Sequence, residues 1–287
     1  MTFKKRKDGR DLMSTEKTGM SLEKKIGFIG NGNMASAIYK GMLASGLAKA
    51  ENIIVSALDP NKLEKKAAEI GFVAAKSNRE VVEKSDIIFL AVKPQYLGDV
   101  MVDIRPAVTA SKAFVSIVAG WTNVKLKASL GNEGRVLRVM PNTPLLVGEG
   151  MSCLCAENDL TEEEFIYIQS VFAQMGKVEV LEEKHIAIFS GVAGSSPAYT
   201  YMYIEALADA ACKWGLPRHI GYRVVAQAVL GAAKMVLETN EHPGALKDAV
   251  CSPAGTTIVA VQALEDRGFR GAVMDCVDRC TEKFNQL

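Results

Sequence analysis

Residues 26–35 read IGFIGNGNMA, a short apolar run followed by Gly30-x-Gly32-x-x-Ala35. An apolar run ending in glycine suits a buried strand. Met34, Ile38 and Met42 then fall on one face of a helix that Gly46 closes. A strand, a tight glycine turn and a helix in that order form a phosphate-binding unit. Gly30 permits the sharp turn, Gly32 lets a pyrophosphate approach the backbone, and Ala35 lets helix and strand pack closely. The helix start adds free N–H groups and the positive end of its dipole. A tight turn without a ligand would carry the same letters, but the strand before and the helix after it favour a dinucleotide site.

The same alternation continues. NIIVSA, FVAA, DIIFLAVKP, AFVSIVAG and RVLRVMPNTP read as strands, and NKLEKKAAEIG and NREVVEKS as helices between them. Continuous apolar strands suit a sheet covered on both faces. Strand–helix alternation implies parallel units with right-handed crossovers. MSCLCA and VEVLEE add edge strands around a helix starting near Thr161. Beyond His185 the pattern turns helical, with long segments opening at Pro197, Pro217, Pro253 and Gly268. The predicted fold is α/β: an N-terminal Rossmann-type doubly wound sheet over 25–184 and an all-helical part over 185–287. Residues 1–24 read as a flexible polar tail. The helices are apolar on more than one face, so the helical part is expected to build a homodimer at least, and a larger assembly of dimers is open.

Charge narrows the partners. The chain of 287 residues carries 34 basic and 33 acidic side chains, a net charge of +1. That balance argues against nucleic acid, which needs a clustered basic footprint. No uninterrupted apolar run reaches the roughly 20 residues that span a bilayer. Met1 to Lys25 has no apolar signal core, so a cytoplasmic location is expected. The six cysteines read as reduced thiols. Cys276 and Cys280 sit four apart without a histidine beside them, and no metal is expected.

The loop after the second strand bears on the cofactor. An NAD site places an acid about 20 residues beyond the glycines. Ser56 and Ala57 stand there instead. Ser56, with Asn61 and Lys62, can accept a 2′-phosphate, which favours NADPH. Asp59 argues the other way, unless it only caps the next helix. Further contacts are expected at the strand ends in AVKP, in VAG and in the Pro141-Asn142-Thr143-Pro144 cluster. A second candidate is Ser252-Pro253-Ala254-Gly255-Thr256-Thr257, a run of backbone amides and hydroxyls entering an apolar helix. It can hold an anion or be an ordinary helix start.

These pieces resemble the pyrroline-5-carboxylate reductase family. The matching segments are IGFIGNGNMASAI, DIIFLAVKPQ, SIVAG, RVMPNTP, FSGVAGSSPAYTYMYIEALADAA, AAKMVLET and HPGALKDAVCSPAGTT. They run from about Lys24 to the end, and the last two are the most specific. The resemblance implies NADPH, with some use of NADH, and reduction of 1-pyrroline-5-carboxylate to proline. It implies cofactor contacts at Gly30, Asn31, Gly32, Asn33, Met34, Ser56, Asn78, Ala91, Val92, Lys93, Pro94, Ala119, Gly120 and Asn142. Substrate contacts fall on Ser252, Gly255, Thr256 and Thr257. Thr257, placed one turn into its helix, is the expected catalytic hydroxyl. Ala254 stands where many members carry glycine.

Two other readings share the plan. A 3-hydroxyacid dehydrogenase would want a lysine early in the first long helix, and Ser195 to Lys213 has none in its first turns. A dinucleotide sensor without activity would want a partner surface of distinct charge.

Overall fold

The computed structural model describes residues 24–287; the tail expected over 1–24 lies, but for Lys24, outside the described residues. Strand and helix alternate as β1 (Ile26–Ile29), α1 (Asn33–Ser45), β2 (Ile53–Ser56), α2 (Pro60–Ile70), β3 (Val73–Ala74), α3 (Asn78–Lys84) and β4 (Ile87–Leu90). There follow α4 (Pro94–Ile104), β5 (Ala113–Ser116), α5 (Asn123–Ser129), β6 (Arg135–Met140), β7 (Gly150–Cys155), α6 (Glu162–Ala173) and β8 (Gly176–Leu181). The strands form one sheet in the order β3-β2-β1-β4-β5-β6-β7-β8. From β3 to β6 all neighbours are parallel. β7 runs antiparallel to β6 and parallel to β8. The reversal follows from the link: only a short 3₁₀ turn, Thr143–Val147, separates β6 from β7. A parallel return needs a crossover of a dozen residues or so.

Strands β1, β2, β4 and β5 are buried along their whole length, which is why each reads as an unbroken apolar run. One face packs on α1 and α6 through Phe28, Tyr39, Phe89 and Phe172, the other on α3, α4 and α5 through Val81, Leu97 and Leu126. Phe28 and Phe89 stack at 4.7 Å, with Tyr39 edge-on to Phe28 at 5.6 Å. Burying each such side chain contributes roughly 1.5–3 kcal/mol.

The far edge is fixed by charge. Thr161 and Glu164 form a reciprocal capping box at the start of α6. Glu164 is buried and also takes Lys24 Nζ at 2.7 Å and the Arg135 guanidinium. Burial alone would raise its pKa. The bonds from Arg135, Lys24 and the Thr161 backbone outweigh that and hold it at about 2.

Beyond the sheet, α7 (Ile186–Phe189) runs into a π turn over Ser190–Gly194, where Ser195 N donates to Ser190 O at 2.8 Å. Five helices follow: α8 (Ser196–Lys213), α9 (Arg218–Thr239), α10 (Pro243–Val250), α11 (Thr256–Asp266) and α12 (Phe269–Asn285). From residue 196 onward only Ala208 and Gly221 are buried. They face each other, since a Cβ on Gly221 would meet Ala208 at 3.5 Å, and this lets α8 and α9 pack closely. α12 folds back on the π turn, with Gly191 against Val277 and Thr281, and carries Phe284 to the sheet core.

The rest of these helices shows apolar surface. Met202, Leu237 and Val259 are 70%, 73% and 67% exposed. α9 is long and apolar enough, by length and composition, to cross a membrane. The expectation concerned an uninterrupted apolar run, and α9 is not one. Arg223 and Lys234 break the run of letters but leave the helix apolar on average. All six cysteines are free; burial, the largest influence on each, pushes the thiols of Cys153 and Cys155 up to about 11 and about 12.

Candidate active site

The strand order reverses between β1 and β4, and their carboxyl ends bound a crevice where ligands of such sheets sit. Gly30 lines it with φ +104°, a conformation L-residues rarely adopt. A Cβ there would lie 2.5 Å from the Ala91 carbonyl oxygen. Gly30 N donates to Ser56 O at 3.0 Å and Ala91 N to Ile29 O at 2.9 Å, so the ends of β1, β2 and β4 are tied together. Gly32 is the N-cap of α1, with no side-chain cap and no acid in the first turn. The opening N–H groups of α1 are therefore free to bind an anion. Gly32 has an ordinary φ of −74°, and a Cβ on it would meet nothing within 4 Å. Its use is space over the turn, which fits a pyrophosphate. Ala35 is fully buried between helix and strand.

At the end of β2, Ser56 is buried and its hydroxyl donates to Asn78 Oδ1 at 2.7 Å. Asp59 caps α2: Lys62 N donates to Oδ1 at 3.1 Å, and Lys62 Nζ lies 3.4 Å from Oδ2. The Lys62 backbone bond is the main cause of its lowered pKa. The acid of this loop is thus turned into its own helix. Asn31 is pinned from behind. Its Oδ1 accepts from Tyr39 Oη at 2.9 Å and Lys66 Nζ at 3.3 Å. Lys66 also donates to Ser36 Oγ at 2.5 Å. Ser36, Tyr39 and Lys66 escaped the sequence reading, because only the fold brings Lys66, 35 positions on, against Asn31.

Ala91 and Val92 are half-buried where β4 ends; Lys93 and Pro94 open α4 and are exposed. Ala119 and Gly120 are half-buried beyond β5. Gly120 has φ +77° and lies against Leu287, whose Cβ would be 2.5 Å from an added Cβ. Asn142 is buried and its amide serves the chain's own packing: Oδ1 accepts from Met151 N at 2.8 Å, and Nδ2 donates to Ala193 O at 2.9 Å. Behind Gly120 is a cavity of about 380 Å³ lined by Thr122, Arg138, Glu183 and Phe284. Arg138 there donates to Glu183 Oε1 at 2.9 Å and Asn123 N to the same oxygen at 2.7 Å. An arginine inside the apolar run RVLRVM was the available signal for this pair. Among the described residues no group of three or more His, Cys, Asp or Glu side chains is placed to hold a metal ion.

The second candidate lies on the helices. Ser252 to Gly255 is a turn closed by Gly255 N donating to Ser252 O at 3.0 Å. Pro253 and the left-handed Ala254, φ +56°, occupy its central positions, the pattern of a type II turn. Gly255 is the N-cap of α11, with no side-chain cap and no acid in the first turn. Thr256 and Thr257 are the first two helical residues. Thr257 lies in the opening turn, not one turn in, because Gly255 rather than Ser252 starts the helix. A Cβ on Gly255 would collide with Ser252 Oγ. Left-handed alanine is strained where glycine is not. Ala254→Gly should therefore stabilise the protein, by about 0.5–1 kcal/mol, read as a higher urea midpoint at unchanged slope.

α10 packs on α9 and α11 on α12, while no hydrogen bond or ion pair among the described residues links residues 243–266 to the sheet.

A family profile described as pyrroline-5-carboxylate reductase dimerisation matches residues 183–287, and one described as NADP oxidoreductase, coenzyme F420-dependent, matches residues 25–120. Pyrroline-5-carboxylate reductase of Escherichia coli is 47% identical over 93% of this chain and 99% of its own length. That of Methanosarcina acetivorans is 39% identical, covering 92% and 97%. A crystal structure of Plasmodium falciparum pyrroline carboxylate reductase with NADP bound superposes with a TM-score of 0.85 at 34% identity, covering 93% and 99%.

Proposed function

The chain belongs to the pyrroline-5-carboxylate reductase family, and on that premise we propose that it reduces 1-pyrroline-5-carboxylate to L-proline with NADPH, the last step of proline biosynthesis. NADH is accepted less well. The observation that carries this reading is the open, uncapped turn at Gly32, on the crevice between β1 and β4. Purified protein should oxidise NADPH with 1-pyrroline-5-carboxylate, and should not reduce NADP with 3-hydroxyacids. The reverse pattern would replace the reading with a hydroxyacid dehydrogenase.

We assign residues 25–184 to cofactor binding and 185–287 to substrate binding and assembly. Gly30, Asn31, Gly32, Asn33 and Met34 hold the pyrophosphate, and Ser56 and Asn78 the adenosine ribose. Ala91, Val92, Lys93, Pro94, Ala119, Gly120 and Asn142 border the nicotinamide end. Bound NADPH supplies the hydride. The amides and hydroxyls of Ser252, Gly255 and Thr256 hold the substrate carboxylate at the start of α11. The Thr257 hydroxyl bonds the ring nitrogen and aligns the imine carbon. Thr257→Val keeps the shape and removes that bond. It should lower kcat by about ten- to a hundredfold, or about 1.4–2.7 kcal/mol, and raise KM less. A normal kcat in the folded variant would remove Thr257 from the mechanism.

Because α8 to α12 expose apolar surface and residues 183–287 match a dimerisation profile, we place the complete site at a homodimer interface, with the exposed faces of α8 to α12 as the seam; pairs of dimers can stack further. Sedimentation should show a dimer at assay concentration. A fully active monomer would exclude this arrangement. The protein works in the cytoplasm on a small-molecule substrate, with neither nucleic acid nor membrane as partner.

A further inference from the structure

Lys66 is a half-buried cation without an acid. It sits mid-way along α2 and points back at the glycine turn. Its Nζ meets three neutral groups: Ser36 Oγ at 2.5 Å, Asn31 Oδ1 at 3.3 Å and the Tyr39 ring at 5.6 Å. Among the described residues no carboxylate lies within 4 Å of it. Holding an ammonium in part out of water beside neutral oxygens is unfavourable unless an anion approaches.

We infer that Lys66 is a specificity-determining residue that binds the 2′-phosphate of NADPH. The inference rests on the dinucleotide reading above. The adenosine ribose of such folds lies at the end of β2. The turn is tied to that strand end by Gly30 N to Ser56 O, so the flank holding Asn31 and Lys66 is the β2 side. The pyrophosphate lies over the opening amides of α1, where the backbone is the donor. The charge on the β2 flank suits a second phosphate. Asp59, the acid of this loop, is spent on capping α2 and on Lys62. Lys66 is left as the positive group that touches the turn itself. The cluster also sets the geometry: Ser36 and Asn31 hold the ammonium in place, and the phosphate replaces neutral partners with a charged one.

The test is binding to the full-length protein, measured by calorimetry with NADP⁺, NAD⁺, 2′,5′-ADP and 5′-AMP. Lys66→Met should weaken NADP⁺ and 2′,5′-ADP by about tenfold, about 1.4 kcal/mol, because partial exposure keeps the pair near the lower end of charged bonds. NAD⁺ and 5′-AMP should change less than about twofold. Lys66→Arg should keep NADP⁺ affinity within about threefold, since the charge remains. Equal losses for both pairs of ligands would mean that Lys66 only positions Asn31, and would overturn the inference. Unchanged affinities would overturn it too. Wild-type protein that binds none of the four would refute the dinucleotide reading itself, separately from any Lys66 variant.

Discussion

Gly30→Ala should lower kcat/KM for NADPH by about a hundredfold or more, about 2.7 kcal/mol. The backbone there has φ +104°, which costs an L-residue about 1–3 kcal/mol. The new methyl would also sit 2.5 Å from the Ala91 carbonyl oxygen and 2.8 Å from its carbon. Both are backbone atoms at the end of β4, so no side chain can swing aside. The strand end must move, and it borders the crevice. Gly32→Ala is the informative contrast. Its φ is ordinary and its Cβ would meet no atom, so the melting temperature should stay near wild type while nucleotide affinity falls. Fluorescence titration with NADPH beside thermal melts separates the two. Wild-type affinity in Gly30→Ala would show that the turn does not hold the nucleotide.

The largest stability effect is expected at Glu164. Its carboxylate is buried and holds Arg135, Lys24 and the start of α6 at once. Glu164→Gln should cost about 3–5 kcal/mol at pH 7, the usual loss when one partner of a buried ion pair is removed. The pH dependence has a definite sign. The folded pKa, about 2, lies below the ordinary value of 4.5. The carboxylate therefore adds stability above pH 4.5, about 3 kcal/mol, and loses it as pH falls from 4.5 towards 2. The gap between wild type and Glu164→Gln should narrow over that window in chemical denaturation. A gap constant from pH 7 to pH 3 would mean that the Arg135 contact is worth little.

What the sequence made legible was set by local physics. KIGFIG and DIIFLAVKP are continuous apolar runs, and both are central strands. Gly46 and Asp59 punctuate helices as their chemistry demands. α4, α5 and α10 were not singled out, since their apolar positions are few or hidden beside longer runs. The direction of β7 lay in the length of the link, not in the letters of MSCLCA. At the site, Gly30 and Gly32 were readable because backbone conformation and space act within a few residues. The Lys66–Asn31 and Arg138–Glu183 pairs were not, because each spans more than 30 positions and depends on the packing of separate elements. The left-handed turn at Ala254 shows only through the glycine that many family members carry there, because alanine itself carries no sign of positive φ.

In the proposed homodimer the thin interior of α8 to α12 would make their stability a matter of mass action. In that dimer, a helical unit that buries only Ala208 and Gly221 beyond residue 196 of its own chain would draw its remaining burial from association. Its melting temperature should then climb with protein concentration, while the sheet, whose core is complete within one chain, should not follow. Dilution would loosen the half that carries Thr257 before it disturbs the half that carries Gly30. Specific activity would fall on dilution with nucleotide affinity largely kept, so the concentration of the protein itself would act as a control on turnover.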